Sequence, residues 1–358
     1  MAKDFAKSSI LDVAYQPQVR TKRDTRRLML DVIIALIPAL AVSVWQFGPY
    51  VLVPVATSVG SAVLFEYLYR KLVKKDCRIG DLSACVTGLL LAMTLPPTTA
   101  WWVPMVGTFF AMVVVKQLYG GIGKNFLNPA LAGRAFLLAS YALVLGRFKV
   151  PAYLQNVVAG EASTGVIGSL DAVTMATPLG ALYGGEALPE YFSFGNMFMG
   201  FIPGCIGEVS TLALIVGGLY LLNRKVISWH IPVSFIGTVA VLTLIFGREG
   251  YGNAEWMMYN LLSGGLFLGA FFMATDYVTS PVTYPGQLIY GAGCGALTVL
   301  IRYFGGYPEG VSYAILIMNL LSWAIDKAFC RNQFGVSKED IANAKAAAKA
   351  AKKAAKEA

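Results

Sequence analysis

Long apolar runs, broken by short groups of charged, glycine or proline residues, occupy most of the chain. Ten runs predict helices at 28–47, 51–69, 82–95, 101–118, 129–145, 203–222, 230–247, 258–273, 286–304 and 311–328. A helix needs about 20 apolar residues to cross a bilayer, so most of these read as membrane spans. Two of them, 82–95 and 258–273, are too short to cross comfortably. The first stops at Pro96-Pro97 and the second runs into Thr275-Asp276. Short, interrupted segments in corresponding places of two halves mark an inverted-repeat membrane fold. Each half here has five runs with the short one third, and Thr87-Gly88-Leu89-Leu90-Leu91-Ala92 is similar to Gly264-Gly265-Leu266-Phe267-Leu268-Gly269. Chance similarity among apolar runs is the competing explanation. The pattern predicts an all-α polytopic membrane protein of about ten transmembrane helices, arranged as two inverted five-helix repeats. The segments are 1–27 (polar, cytoplasmic), 28–145 (first repeat), 146–202 (extracytoplasmic loop), 203–328 (second repeat) and 329–358 (basic Ala/Lys tail).

Composition agrees. Of 358 residues, 56% are apolar and 14% charged, with mean hydropathy +0.61. Soluble domains carry about 25% charged residues, which excludes an ordinary soluble enzyme. Lys and Arg placement sets the orientation, because cytoplasmic loops are enriched in both. Seven lie in 1–27, five more between Arg70 and Arg78, and Arg224-Lys225 and the tail fall on the same side. Loop 146–202 holds only Arg147 and Lys149, against Glu161, Asp171, Glu186 and Glu190. Both termini are therefore expected in the cytoplasm and loop 146–202 outside. The net charge of +9 is mostly this asymmetry and needs no nucleic acid. The polar stretch before the first span predicts no cleavable signal peptide. In the tail, Ser337 and Asp340 suit a capping box ahead of a basic helix that contacts solvent or anionic lipid.

The five cysteines (Cys77, Cys85, Cys205, Cys294, Cys330) lack C-x-x-C spacing, so no zinc or iron–sulfur set is expected. His230, the single histidine, excludes a haem held by two histidines of this chain. The stretch Gly120 to Arg134 is unlike a lipid-facing span. Asn128-Pro129 reads as an N-cap with proline at the first helical position. Lys124, Asn125, Asn128 and Arg134 are candidates for a polar loop that holds a cofactor edge, or simply a tight turn that starts a helix. Acids inside predicted spans are costly and usually face a bundle interior. Asp31 and Glu66 sit near the cytoplasmic boundary, as interfacial residues would; Asp276 and Glu208 are the candidates for an ion path.

Five stretches carry a resemblance. Asp171-x-x-Thr174-x-Ala176-Thr177 resembles the flavinylation motif, in which the last threonine hydroxyl is joined to the phosphate of FMN. Gly120 to Phe136, the opening Leu30 to Ala39, Thr94-Leu95-Pro96-Pro97 and Phe272-Met273-Ala274-Thr275-Asp276 are similar to the same family. That family is the RnfD component of the Rnf ion-translocating electron-transport complex, with the NqrB component of the sodium-pumping NADH:quinone reductase as its relative. The resemblance runs from about residue 15 to 330 and implies covalent FMN on Thr177. Asp171, Thr174 and Ala176 would form the motif read by a flavin transferase. It also implies a riboflavin in the bundle, at residues it does not assign. The implied fold is similar to urea and ammonium channels, in the bacterial cytoplasmic (inner) membrane. The implied partners are the other Rnf subunits: a second FMN subunit, iron–sulfur membrane subunits and those facing ferredoxin and NADH. The implied task is electron transfer between ferredoxin and NAD⁺ coupled to Na⁺ or H⁺ movement. Gln16-Pro17-Gln18 stands where the family often shows Ser-Pro-His, and Gln18 cannot titrate. The alternative function is a urea/ammonium-channel-like transporter without redox work.

Overall fold

The computed structural model describes residues 24–74, 79–151, 174–175, 177–184, 192–248, 250–306 and 309–329. The tail with Ser337 and Asp340, and motif residues Asp171 and Ala176, lie outside these. Fourteen helices are described: α1 Thr25–Phe47, α2 Leu52–Leu72, α3 Ser83–Met93, α4 Trp102–Phe109, α5 Pro129–Ser140, α6 Ala142–Leu145, α7 Pro178–Gly184, α8 Phe194–Met199, α9 Thr211–Asn223, α10 His230–Ile245, α11 Asn253–Leu262, α12 Leu266–Leu268, α13 Tyr284–Phe304 and α14 Val311–Ala328. Helices α4 and α12 continue without interruption as π-helices, Phe110–Gln117 and Gly269–Met273. A two-stranded antiparallel ladder pairs β1 Phe148–Lys149 with β2 Thr174–Met175.

The molecule is mostly helical, and every predicted run overlies a helix, but lengths differ from expectation. Among the described residues, three helical segments, Thr25–Phe47, Pro49–Leu72 and Val311–Ala328, are long and apolar enough to cross a bilayer. A fourth arises if α11 and Leu266–Met273, bent by 62°, count as one span. Ser83–Met93, Trp102–Gln117, Thr211–Asn223 and His230–Ile245 are apolar but shorter. The run at 203–222 becomes helical only at Thr211, because Pro203, Gly204 and Gly207 hold its first part out of a helix. Burial has the pattern of a bundle in an apolar solvent. Helix α1 buries Asp31, Ala35, Leu36, Ala39, Ser43 and Gln46 along one stripe. Its other face exposes Leu30, Ile34 and Ile37, while Trp45, Phe304 and Trp323 stand more than two-thirds exposed. So many exposed large apolar side chains mark a surface that water does not cover.

Two non-helical stretches meet in the core. After α3, Thr94–Pro97 leaves the helix, and 203–210 runs alongside it: Ile206 N donates to Leu95 O at 2.9 Å and Gly207 N to Met93 O at 2.6 Å. Ser43 Oγ of α1 donates to Ile206 O. Irregular backbone at this depth is tolerated because protein partners satisfy its polar groups. Helix α1 packs on α9, α2 on α3 and α4, and α10 on α11 and α13. The α1–α9 contact is backbone-close: a Cβ on Gly217 would collide with Ala35 O.

Candidate cofactor and ion sites

The first site is a cavity of about 360 Å³ where the start of α5, the end of the second π-helix and the ends of α1, α3 and α9 converge. Its walls are mostly apolar, among them Leu28, Val32, Leu90, Phe271 and Phe272. Its polar lining is Thr25, Ser83, Thr87, Lys116, Asn125, Asn128, Thr275 and Asp276. Asn128 is the expected N-cap: its Oδ1 accepts from Ala130 N at 3.0 Å and Leu131 N at 3.4 Å. Its Nδ2 donates to Met273 O at 3.1 Å, tying the start of α5 to the second helix break. Asn125 donates to Leu127 O. Lys124 is exposed and does not line the cavity, although its neighbours do. Lys116 takes the place that sequence reasoning gave to Lys124. The π-helical turn carries it inward, where Nζ donates to Ser83 Oγ at 2.7 Å and Glu66 Oε2 at 3.2 Å. Arg70 and Gln117 also donate to Glu66, which is fully buried within the protein. Asp31 likewise is mostly buried, and accepts from Tyr220 and Arg224. Asp276 is half-buried at the cavity edge, accepting from Thr279 at 3.2 Å. Burial pushes its carboxyl above the ordinary value.

The second site lies at the meeting of the core breaks and belongs to Arg134. Its Nη1 donates to Thr94 O at 2.9 Å and Glu208 Oε1 at 3.2 Å, and Nη2 to Glu309 Oε2 at 2.5 Å. Arg134 is 3% and Glu208 8% exposed. Arg134 is therefore not part of the 124–128 loop; six residues along α5 take it deep into the bundle. Cys205, Glu208 and Glu309 offer ligand atoms within 4.8 Å of one another. Glu309, between α13 and α14, was not a sequence candidate, and neither its spacing nor its neighbours signal its place. Burial and the adjacent Glu208 push its carboxyl up to about 7, while Arg134 opposes the shift. Asp276 and Glu208 do not meet: one edges the cavity, the other joins this cluster. Met273 lines the space beside Arg134 and accepts from the cavity's Asn128.

Thr177 is half-buried immediately before α7. Its Oγ1 accepts from Gly180 N at 3.1 Å, and its carbonyl from Ala181 N, so it caps α7 as Thr-Pro pairs do. Thr174 stands in β2, paired with Lys149. At its far end α7 is held by Tyr183, whose hydroxyl donates to Asn260 Oδ1, and by Arg248, which donates to Leu182 O.

Comparisons with known proteins place these features. Residues 12–335 match the family described as NQR2, RnfD, RnfE. The chain is 45% identical over 330 residues to the D subunit of the Na(+)-translocating ferredoxin:NAD(+) oxidoreductase complex of Acetobacterium woodii, covering 92% of this chain and 96% of the relative. It is 41% identical over 345 residues to the D subunit of the proton-translocating ferredoxin:NAD(+) oxidoreductase complex of Clostridium ljungdahlii, covering 94% and 100%. It is 37% identical over 342 residues to the D subunit of the ion-translocating oxidoreductase complex of Escherichia fergusonii, covering 88% and 96%.

Proposed function

The chain belongs to the NQR2, RnfD, RnfE family, and from that premise we propose that it is the D subunit of an ion-translocating ferredoxin:NAD⁺ oxidoreductase complex, carrying FMN covalently on Thr177. The names of its relatives support the complex. One observation carries the flavin reading: the Asp171-x-x-Thr174-x-Ala176-Thr177 sequence ends at a half-buried threonine whose hydroxyl only accepts a hydrogen bond among the described residues. That oxygen remains available for an ester to phosphate. FMN supplies electron transfer when bound, while the protein supplies position and polarity. A covalent tether prevents loss by dissociation on the outer side. Around Thr177 the chain's own part is to hold the anchor still: Gly180 N orients the oxygen, while Tyr183 and Arg248 fix the far end of α7.

The 360 Å³ cavity suits the riboflavin that the family resemblance implies, having a volume within the usual range for small-ligand pockets. Its apolar walls match a planar ring, and Lys116, Asn125 and Asn128 can meet polar ring edges. Asp276 and the Glu208–Arg134–Glu309 cluster flank the second helix break and form the proposed path for Na⁺ or H⁺. The overall topology we propose is ten spans in two inverted repeats in the bacterial inner membrane. Both termini are cytoplasmic and loop 146–202 is outside, where the transferase and the other Rnf subunits are met. The test is flavin fluorescence in a denaturing gel, with chain made in cells that contain the transferase. A fluorescent band lost on Thr177→Ala is expected; a dark band for the unaltered chain overturns the reading.

A further inference from the structure

Behind α7 lies a pocket of about 540 Å³ lined by Tyr183, Gly247, Arg248, Arg302, Tyr303 and Gly305. Among the described residues, two guanidiniums and no carboxylate line it. Arg302 is 1% exposed. Its Nη atoms donate to Asn260 O at 2.6 Å and Ser263 O at 3.3 Å, the free carbonyls at the end of α11. Among the described residues it has no ion pair, and its buried Nε has no hydrogen-bond partner. The nearest acids of the core, Glu208 and Glu309, are both bonded to Arg134. Glu208 and Glu309 act on the Arg302 charge from beyond hydrogen-bonding distance, and capping the α11 carbonyls accounts for Nη1 and Nη2, but Nε is left as a buried orphan donor beside a cavity, a costly arrangement without an acceptor. Arg248 adds a second positive charge 5.9 Å from the centres of the Tyr183 and Trp256 rings. Tyr183 and Tyr303 meet edge to face with ring centres 5.7 Å apart and form one aromatic wall. Guanidiniums beside an aromatic wall suit a flat group with negative charge.

We propose that this pocket receives the ring system of the group carried on Thr177, and that Arg302 favours its reduced, negatively charged state over the neutral oxidised one. The proposal rests on the covalent flavin reading above. It adds a receptor for the ring and names the residue that sets its potential. The connection runs along α7, with Thr177 at its start and pocket-lining Tyr183 near its end. Leu179 and Arg302 both lie against Gly264 at the α11–α12 break.

Spectroelectrochemistry of the purified full chain bearing its covalent flavin tests this. The electrode supplies two electrons and solvent one proton, giving the reduced anion. Arg302→Met is expected to keep the fluorescent band and weaken the preference for the reduced state tenfold or more, a midpoint lowered by at least about 30 mV for a two-electron couple. Arg302→Lys should recover part of the shift. Arg248→Gln, on the exposed side of the pocket, should move the midpoint in the same direction by less, and serves if Arg302→Met does not fold. A retained band with unchanged midpoints overturns this proposal and leaves the tether standing. A dark band in the unaltered chain removes both.

Discussion

At the scale of single residues, the buried charges are the most exposed to test. Removing one partner of a buried ion pair costs about 3–5 kcal/mol, because the charge left behind has neither water nor counter-ion. Arg134→Met strands Glu208 and Glu309 together and should lower stability in detergent by that order. Adding Glu208→Gln should restore part of the loss, since the two positions share one network. Unfolding midpoints of the two variants decide it, and additive losses would contradict the network. Glu309 makes a second prediction. Its folded carboxyl holds its proton up to about pH 7, against an ordinary value of 4.5. Between those values the folded state binds more protons than the unfolded one, so stability should rise as pH falls from 7 towards 5. Glu309→Gln should flatten that slope; equal slopes would be the contrary result. Sequence revealed these residues unevenly. Asn128 was legible because capping is local and Asn-Pro before an apolar run has one mechanical reading. Arg134 was conspicuous, but its partners stand 74 and 175 residues away. Nothing in local spacing encodes such a contact.

At the scale of elements, the departures from regular helix position the chemistry. The π-helical end of α4 is what brings Lys116 inward, and a period of 3.6 residues cannot anticipate it. The run at 258–273 predicts one helix, but the structure breaks it between α11 and α12, where Gly264 takes a φ of +66° that favours glycine. The start of α9 was misplaced by eight residues, since apolarity alone does not separate a helix from a buried extended stretch. The stretch 203–210 is buried because it bonds to the break after α3, a tertiary fact. Close packing at the α1–α9 crossing gives the prediction at this scale. Gly217→Leu would push α9 off Ala35 O and should destabilise the bundle by about 1–3 kcal/mol or more. Gly60→Leu, on α2 with open space around the Cβ position, is its control. Comparable yields and midpoints for the two variants would refute the close approach.

At the scale of the whole molecule, the membrane character was plain from hydropathy, and the uneven placement of Lys and Arg is the basis of the proposed orientation. The number of crossings was less legible: three or four segments among the described residues are long and apolar enough to cross, so the proposed ten spans rest on the hydropathy pattern and the family resemblance and not on helix length. The arrangement gives the protein two polar centres inside an apolar bundle and an arginine–aromatic pocket behind α7. In the proposed function these would hold flavin and conduct ions, on the condition that a flavin is fixed at Thr177. Intact-mass measurement of the full chain, purified from cells that possess the transferase, tests that condition most directly. The account predicts an increment of one FMN less one water, lost in Thr177→Ala; a chain of unmodified mass would contradict it.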